Sequence, residues 1–440
     1  MTTVVLSRQF VLSLFLALIC HSAAQAQFGA QLTGVGAINR SMGGAATAAP
    51  LDTLGAFQWN PATITALPSS TDFGLELLLP QAKLASTVNP GSFGPGTPPI
   101  PVSGSEHSNS GAFPLPEFGV VYQPEDSPLS YGLGLLTVGG FSANFPGSLT
   151  NPILSPSPPN GFGVGPIFAQ YQLMQIIPTV AIQATERLSI GFSPIVDLAS
   201  LSVSPGSLAA PDAAGGGFAT YPPLTHGTYQ WGAGFQVGAY YTTESHWQFG
   251  ASFKSTQWFN SFQYNSQNQV GAPRNIKLAV DAPMIISLGT AYSGFDRFLL
   301  ALDLRYLDYR NTRGFSQTGF APNGAVNGLG WDNIFALSTG AQYQATDAAS
   351  LRMGYSFSTN PIGNDKTFFN IASPLVIQHG IYFGGSYNIT QSFKVSLTYA
   401  HFFQNSISGP WISPQGPIPG TNVTSTASAD SIIAGASFLF

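Results

Sequence analysis

The feature of this sequence that most constrains its fold is a two-residue alternation of apolar and polar side chains, repeated in many short segments. Residues 298–307, 351–358 and 393–400 each carry large apolar side chains at every second position, with a mixture of apolar, small, polar and charged ones between them. An extended strand with this pattern separates an apolar phase from a polar or mixed one. The pattern therefore predicts β-strands, either in a sandwich or in the wall of a barrel.

Composition separates these two folds. Charged residues make up 8% of the chain, whereas a soluble domain has about 25% and a sandwich would carry much of that charge on its outer faces. Beyond the N-terminal region, the sequence has no apolar run of about 18 residues, the length that a transmembrane helix needs. Because only helices and closed barrels satisfy their backbone hydrogen bonds in lipid, the sequence predicts an all-β, antiparallel transmembrane barrel.

We count about fourteen alternating segments, the strand number of a mid-sized barrel. They lie near residues 71–88, 112–123, 130–145, 167–184, 187–203, 227–243, 246–260, 276–292, 296–311, 331–345, 349–359, 376–388, 391–405 and 425–440. Connections after odd-numbered segments are long and rich in Pro, Gly, Asn and Ser, whereas those after even-numbered segments are short. This alternation is typical of a bacterial outer-membrane barrel, with long extracellular loops, short periplasmic turns and both chain ends in the periplasm.

Residues 1–26 match a secretory signal peptide better than a transmembrane helix. Arg8 provides a positive start, residues 10–19 form a short apolar core, and Ala24-Gln25-Ala26 fits a cleavage site. Cys20, the single cysteine, lies within this segment. A mature chain that begins after the cleavage site would therefore form no disulfide and no thiolate metal site.

Between the signal peptide and the first strand, residues 27–70 are predicted to form a plug, the hatch, inside a barrel of residues 71–440. The hatch is rich in Gly and Ala and fits neither a strand nor a long amphipathic helix. Pro61 removes an N–H donor and biases Asn60 away from helical angles, so Asn60-Pro61-Ala62 favours a turn that the Asn60 amide caps. This motif fills the lumen or a gap in the wall, or it only orders the hatch.

Several short motifs along the chain resemble those of one family when they are taken together and in order. They are Gly34-x-Gly36, Gly43-Gly44-Ala45, Asp52, Asn60-Pro61-Ala62-Thr63-Ile64, Pro114-x-Pro116, Gly132-Leu133-Gly134, Ile177-Pro178-Thr179-Val180-Ala181, Leu188-Ser189-Ile190-Gly191, Trp331-Asp332, Leu351-Arg352-Met353-Gly354-Tyr355 and the terminal Phe440. The chain thus resembles the FadL/TodX (OmpP1) family of outer-membrane transporters for long-chain fatty acids and other hydrophobic compounds. The resemblance implies fourteen strands, an N-terminal hatch, a ligand site in the lumen, and lateral exit of cargo through a kink in the third strand.

Gly139 and Gly140 lie in the third predicted strand, where this resemblance places the kink. Glycine inside a strand commonly marks a bulge or a bend, and Phe141 and Phe145 would then border the lateral opening. The alternative is that the two glycines only make room for the hatch.

A carboxylate cargo would need a cation on the lumen face of the barrel. By the alternation, Arg305, Arg352 and Lys394 face inward, and arginine suits bidentate carboxylate binding. Asp303 shares a face with Arg305, so an ion pair within the lumen is the alternative for that residue.

These observations predict passive uptake of hydrophobic compounds, with long-chain fatty acids as the first cargo class. Monoaromatic hydrocarbons and a purely structural barrel are the alternatives. We expect no enzymatic activity, because the sequence has no nucleophile elbow, zinc helix or phosphate loop. We also expect no cofactor, no bound metal and no nucleic-acid partner. The expected partners are outer-membrane lipid and, through the aromatic terminus at Phe440, the outer-membrane assembly machinery.

Five tryptophans lie near predicted strand ends, where an aromatic girdle would be found. They are Trp231, Trp247, Trp258, Trp331 and Trp411.

Overall fold

The computed structural model of the chain describes residues 28–440, so the predicted signal peptide lies outside the described residues. Fourteen antiparallel strands close into a barrel, as predicted. The strands are β1 (Ser70–Val88), β2 (Phe113–Tyr122), β3 (Leu129–Phe145), β4 (Ile167–Gln183), β5 (Leu188–Ser204), β6 (Gln230–Thr242), β7 (Trp247–Lys254), β8 (Ile285–Phe295), β9 (Phe298–Leu307), β10 (Ile334–Gln344), β11 (Ala349–Ser358), β12 (His379–Asn388), β13 (Phe393–Gly409) and β14 (Thr421–Leu439).

The barrel closes because β1 pairs with β2 on one side and with β14 on the other. The seam between β1 and β14 runs from Ser70 opposite Leu439 to Val88 opposite Thr421. Closure leaves no free sheet edge along most of the wall, and every second connection is long. We call the two ends of the barrel the long-loop end and the short-turn end.

One predicted strand boundary differs clearly from the structure. The eighth predicted segment, near 276–292, contains two separate elements. Its first part, Pro273–Leu278, pairs with Phe262–Gln267 as a hairpin outside the wall, and the wall strand β8 begins only at Ile285. Both elements alternate in polarity, so the pattern alone did not separate a loop hairpin from a wall strand.

Short elements occupy the long loops. They are the strands Val102–His107, Trp258–Phe259, Ile412–Ser413 and Gly416–Pro417 and the 3₁₀ turns Pro152–Leu154, Tyr309–Asn311 and Asn364–Asn370. No helix within residues 28–440 is long and apolar enough to cross a membrane.

The outer surface of the barrel carries an apolar belt. On β4 the outward residues are Met174, Ile176, Pro178, Val180 and Ile182. Outer-membrane barrels carry an outward apolar band about 25 Å tall. The belt is bordered by aromatic side chains. Three of the five tryptophans, Trp231, Trp247 and Trp258, are exposed at strand ends as predicted, but Trp331 and Trp411 are buried under the loops. Those two tryptophans form loop cores instead of a girdle.

The described part of the hatch, residues 28–69, lies inside the barrel. It forms helix α1 (Ala37–Ser41), helix α2 (Thr53–Trp59) and a 3₁₀ turn (Pro61–Ala66). Helix α1 contacts β11–β14, helix α2 contacts β1–β3, and the turn contacts β3–β6. Almost every residue from Phe28 to Ile64 is buried, so the hatch fills the lumen across its width.

Candidate functional site

Carboxylates of the barrel wall hold the backbone of the hatch. Glu117 accepts the N–H of Gly36 at 2.7 Å, and Asp72 accepts the N–H of Thr53 at 2.8 Å. Asp303 accepts the N–H groups of Ala46 and Thr47, each at 2.9 Å. A carboxylate that accepts backbone N–H groups away from water makes a strong, charge-assisted contact, so these wall residues fix the position of the hatch. All three carboxylates occupy inward positions of their strands, and this inward position of a charged residue is the sequence signal that could have identified them.

Two arginines complete this attachment. Arg40 of the hatch pairs with Glu76 of β1, and both side chains are almost completely buried. Arg305 of β9 bonds to Asp303 at 2.6 Å and to the carbonyl oxygen of Gly44 at 2.8 Å. The alternative stated for Arg305, an ion pair with Asp303, is therefore present in the lumen.

The other two cation candidates lie near the short-turn end. Arg352 donates to Gln342 at 2.6 Å and to Ser386 at 2.7 Å, and Lys394 is half-buried at the start of β13. The assignment of Arg305, Arg352 or Lys394 to a cargo carboxylate stays a prediction.

The Asn60-Pro61-Ala62 motif ties the hatch to the wall opposite β1. The Asn60 amide nitrogen donates to the carbonyl oxygens of Thr47 at 2.7 Å and Ala239 at 3.0 Å. The Asn60 amide oxygen accepts the N–H of Ala62 at 3.1 Å and thereby caps the 3₁₀ turn. The motif lies in the lumen against β5 and β6, where a Cβ added to Gly191 or Gly238 would meet it.

Asp52 starts helix α2 and is the titratable group of the hatch with a strongly shifted pKa. Its carboxylate accepts the N–H of Gly55 at 3.2 Å. Burial raises the pKa of Asp52 to about 7, and the nearby Asp72 adds to the shift. Asp52 therefore gains a proton at mildly acidic pH.

The third strand bulges where the hatch meets it. The pairing of β3 with β4 shifts register between Thr137 and Gly139, which leaves Val138 as the bulged residue. The N–H of Leu32 donates to the carbonyl oxygen of Val138 at 2.9 Å. A Cβ added to Gly139 would lie 2.7 Å from the carbonyl oxygen of Ala30, so this glycine makes room for the hatch beside a true bulge.

Beside this bulge the barrel wall is interrupted. The strand Val102–His107 and β2 both pair with β1, and the N–H of Ser108 still donates to the carbonyl oxygen of Ala82 at 2.8 Å, but residues 109–112 leave β1. On the other side, β2 pairs with β3 only from Glu117 onward toward the short-turn end. We call the space between residues 79–82, 108–112 and 138–143 the wall gap.

Two prolines explain why β2 and β3 part at this point. The hydroxyl of Thr137 donates to the carbonyl oxygen of Pro116 at 3.0 Å, so this side of Pro116 faces β3. In a strand the nitrogen and the carbonyl of one residue point to the same neighbour, and residues two apart share that neighbour. Pro114 and Pro116 therefore present no N–H to β3, which removes two donors from this edge.

The lumen between the hatch and the long loops contains two apolar cavities. Cavity 1, with about 580 Å³ of empty space, lies over the hatch and reaches the wall gap, and its lining includes Leu32, Leu78, Pro80, Ala82, Gly140 and Phe141. Cavity 2, with about 720 Å³ of empty space that includes its opening, lies under the loops, and its lining includes Tyr171, Leu201, Phe315, Leu329, Trp331 and Phe369. Phe141 and Leu375 line both cavities and separate them.

The residues predicted to border the lateral opening do not all lie at the wall gap. Gly140 makes room for the ring of Phe113, because an added Cβ would lie 3.2 Å from it. Phe141 faces the cavities, whereas Phe145 is buried in a loop cluster with Ile153 and Trp411. Their role as the border of an exit stays a prediction.

Sequence reasoning missed several residues that shape these cavities. Trp331 was assigned to the girdle but lines cavity 2, and Leu375 was not singled out. Leu375 lies in a loop without alternation, so no local pattern indicated it. The Pro114-x-Pro116 motif was visible in the sequence, but its effect depends on which neighbouring strand it faces.

The barrel is closed and has an apolar outer belt. Its own N-terminal segment fills the lumen, and apolar cavities lie above that segment. These features are those of a class of outer-membrane transport proteins. The chain matches the model of the family "Outer membrane protein transport protein (OMPP1/FadL/TodX)" over residues 15–440. It therefore belongs to that family, and with it to the outer-membrane transporters of hydrophobic compounds.

Solved structures share this fold. The toluene transporter TodX of P. putida is 17% identical, with a TM-score of 0.66, and the match covers 93% of this chain and 99% of that one. The toluene transporter TbuX of Ralstonia pickettii is 16% identical (TM-score 0.65; 93% and 99% covered). A FadL homologue of Pseudomonas aeruginosa is 14% identical (TM-score 0.67; 94% and 100% covered). No curated protein sequence matched the chain.

Proposed function

We propose that this protein takes up uncharged hydrophobic compounds and releases them sideways into the outer membrane. Cargo enters from the extracellular loops into cavity 2, passes Phe141 and Leu375 into cavity 1, and leaves through the wall gap. The observation that carries the proposal is that cavity 1 is bounded by the hatch on its periplasmic side and reaches the interruption between β1 and β3.

The attachment of the hatch supports this route. The wall carboxylates hold its backbone, and the Arg40–Glu76 pair is buried, so moving the hatch aside would expose charged groups that lose their partners. An apolar cargo gains free energy by passing from cavity to lipid and gains none from crossing an aqueous channel. Lateral release therefore costs less than release through the periplasmic end.

The lining of cavity 2 favours uncharged cargo. Among the described residues, those that line cavity 2 include no charged side chain and five aromatic ones: Phe141, Tyr171, Phe315, Trp331 and Phe369. Aromatic walls suit flat aromatic rings, which pack edge to face or offset against them. Two of the structural neighbours are toluene transporters, which agrees with a monoaromatic cargo.

Long-chain fatty acids are the second candidate, because a cation lies beside the mouth of cavity 2. An adjoining space under the loops is lined by Lys277 and Arg313 and shares Leu208, Val280 and Gly314 with cavity 2. Arg313 is paired with Asp281 at 2.7 Å. The Lys277 side chain is exposed and forms no hydrogen bond or ion pair with any residue within 28–440, so it is the cation we propose for a cargo carboxylate at the entrance.

We also propose that the chain terminus serves assembly. Phe440 is 69% exposed, and its N–H donates to the carbonyl oxygen of Ser69 at 3.2 Å. A free terminal aromatic ring at the periplasmic end of β14 is accessible to the assembly machinery.

Whole-cell uptake of labelled toluene and of a labelled long-chain fatty acid tests the transport proposal. The wild type is compared with a deletion of Asn60–Ala62 and with a Gly139→Val/Gly140→Val variant, whose side chains would meet Ala30 and Phe113. Gly217→Ala is the control, because a Cβ there meets no atom within 4 Å. Surface exposure and the heat-dependent gel shift of the folded barrel are checked for each variant.

We expect both altered proteins to assemble and to lose uptake, while Gly217→Ala keeps it. The preferred label identifies the cargo class, and loss of fatty acid uptake alone in Lys277→Gln supports the second candidate. Uptake of neither label above an empty-vector control, with normal assembly of the wild type, would overturn the transport proposal.

A further inference from the structure

A polar groove lies on the outer face of the barrel beside the wall gap. It is lined by the outward residues of β3 and β4 and by the chain between Val102–His107 and β2. Its polar side chains include four amides, which we call the amide rim: Asn109, Asn144, Gln170 and Gln172. Outward positions on a transmembrane strand are normally apolar, so this groove interrupts the pattern.

The groove lies at the level of the lipid head groups in the extracellular leaflet. On β4, Met174 is the last residue of the apolar belt, and Gln172 and Gln170 follow it on the same face. On β3, Ser142 and Asn144 are opposite Gln170 and Phe168 in the register. The groove therefore begins where the hydrocarbon belt ends.

The amide rim is unoccupied by protein partners. The backbone of Asn144 bonds to Asn109 at 2.8 Å, which joins the two sides of the groove. The four side-chain amides themselves form no hydrogen bond to any residue in the described part of the chain. Each amide can donate and accept at once, the combination that sugar hydroxyls need.

Two further features select a phosphorylated sugar. Phe113 and Phe168 line the groove with aromatic surface next to the amides. Lys83 of β1 faces the same outer surface, directly opposite His107, which precedes Asn109 by two residues. Within residues 28–440 neither the Lys83 nor the His107 side chain forms a hydrogen bond or an ion pair. A lysine ammonium at the head-group level is complementary to phosphate.

We propose that this groove binds the head group of a phosphorylated glycolipid of the outer leaflet. The amide rim holds sugar hydroxyls, Lys83 holds a phosphate, and the acyl chains lie along the apolar belt below the wall gap. The bound lipid thus places its hydrocarbon chains next to the periplasmic side of the wall gap, where cavity 1 opens. The inference goes beyond the proposed function, because glycolipid binding requires no cargo and is measured without transport.

Native mass spectrometry of the purified full barrel tests this proposal. The probes are rough-type lipopolysaccharide and, as a second anionic lipid, phosphatidylglycerol. The test variant is Gln170→Leu/Gln172→Leu, and the matched control is Gln404→Leu, an exposed amide within β13. Removing two hydrogen-bonding amides is expected to weaken lipopolysaccharide binding about tenfold, and Gln404→Leu is expected to leave it unchanged.

Lys83→Gln provides a second measurement. It is expected to weaken binding of intact lipopolysaccharide more than binding of its dephosphorylated form. Equal binding by the wild type and the double variant, or equal displacement of lipopolysaccharide by phosphatidylglycerol, would overturn the proposal. Toluene uptake is measured in parallel, so a failure of transport with intact lipid binding is recognised as a separate result.

Discussion

The guanidinium carbon of Arg305 lies 3.7 Å from the centroid of the Trp59 indole ring. Arg305 belongs to the wall strand β9 and Trp59 ends helix α2 of the hatch, and both are buried. The arginine also bonds to Asp303 and to the hatch backbone at Gly44. A cation stacked on an indole face away from water is among the stronger contacts of this type.

We expect Arg305→Lys to loosen the hatch, because lysine loses the planar stacking and the forked hydrogen bonds. The free energy of local opening of residues 28–67 should fall by about 2 kcal/mol. Hydrogen exchange of the hatch amides measures this quantity. Arg187→Lys is the control, because its pair with Glu244 is exposed and should change stability by less than about 1 kcal/mol. Unchanged protection of the hatch in Arg305→Lys would show that the stack does not hold it.

Glu76→Gln should have a larger effect than loss of the stack. The substitution leaves the buried Arg40 guanidinium without a carboxylate, and breaking a buried pair in this way costs about 3–5 kcal/mol. We expect undocking of the hatch and larger single-channel currents in planar bilayers. The double variant Arg40→Met/Glu76→Leu removes both charges and should restore part of the low conductance. Currents equal to the wild type in the single variant would contradict a locking role.

Hatch docking should weaken as pH rises through neutrality, because the pKa of Asp52 is raised to about 7 in the folded protein. The unfolded value is near 4, so the folded state binds the proton more tightly. The stabilisation is therefore complete below about pH 4 and is lost as pH rises to about 7. Hydrogen-exchange rates of the hatch amides, corrected for intrinsic rates, should therefore be higher at pH 8 than at pH 5.5. Asp52→Asn keeps the helix cap and should remove the pH dependence of hatch exchange. If that pH dependence persists in Asp52→Asn, another titrating group causes it.

Leu375→Trp should slow uptake severalfold without changing assembly. Leu375 and Phe141 separate the two cavities, so a larger ring at this position fills the passage between them. Whole-cell uptake of toluene measures the effect. Leu149→Trp is the control, because Leu149 is exposed in a loop and lines neither cavity. If both variants transport equally, cargo does not pass between cavity 2 and cavity 1 at this point.

The wall of the barrel was predictable from sequence because the alternation of side-chain polarity within each strand distinguishes its lipid face from its lumen face. Alternation and loop length located fourteen strands without any knowledge of their neighbours, and the inward position of Arg305 beside Asp303 followed from the same rule. The hairpin at Phe262–Gln267 and Pro273–Leu278 was missed since its pattern is identical to that of a wall strand.

The cavities could not be predicted in the same way, because they form between residues far apart in the chain. Phe141 of β3 meets Leu375 of a loop only after the barrel has closed. The wall gap also depends on register: Pro114 and Pro116 interrupt pairing only because they face β3 and not β1. Local sequence shows that prolines are present, but the identity of the facing strand is a property of the whole fold.

The seam between β1 and β14 has a consequence for the order of events during biogenesis. The two strands that close the barrel are the first and the last to be synthesised, and they pair along their whole length. Contacts between such distant segments form late and slowly. The hatch precedes β1 and is enclosed on all sides, so it has to enter the nascent cylinder before β14 completes the circle. A chain truncated before β14 would leave two long strand edges unpaired and its N-terminal segment exposed to proteases in the periplasm.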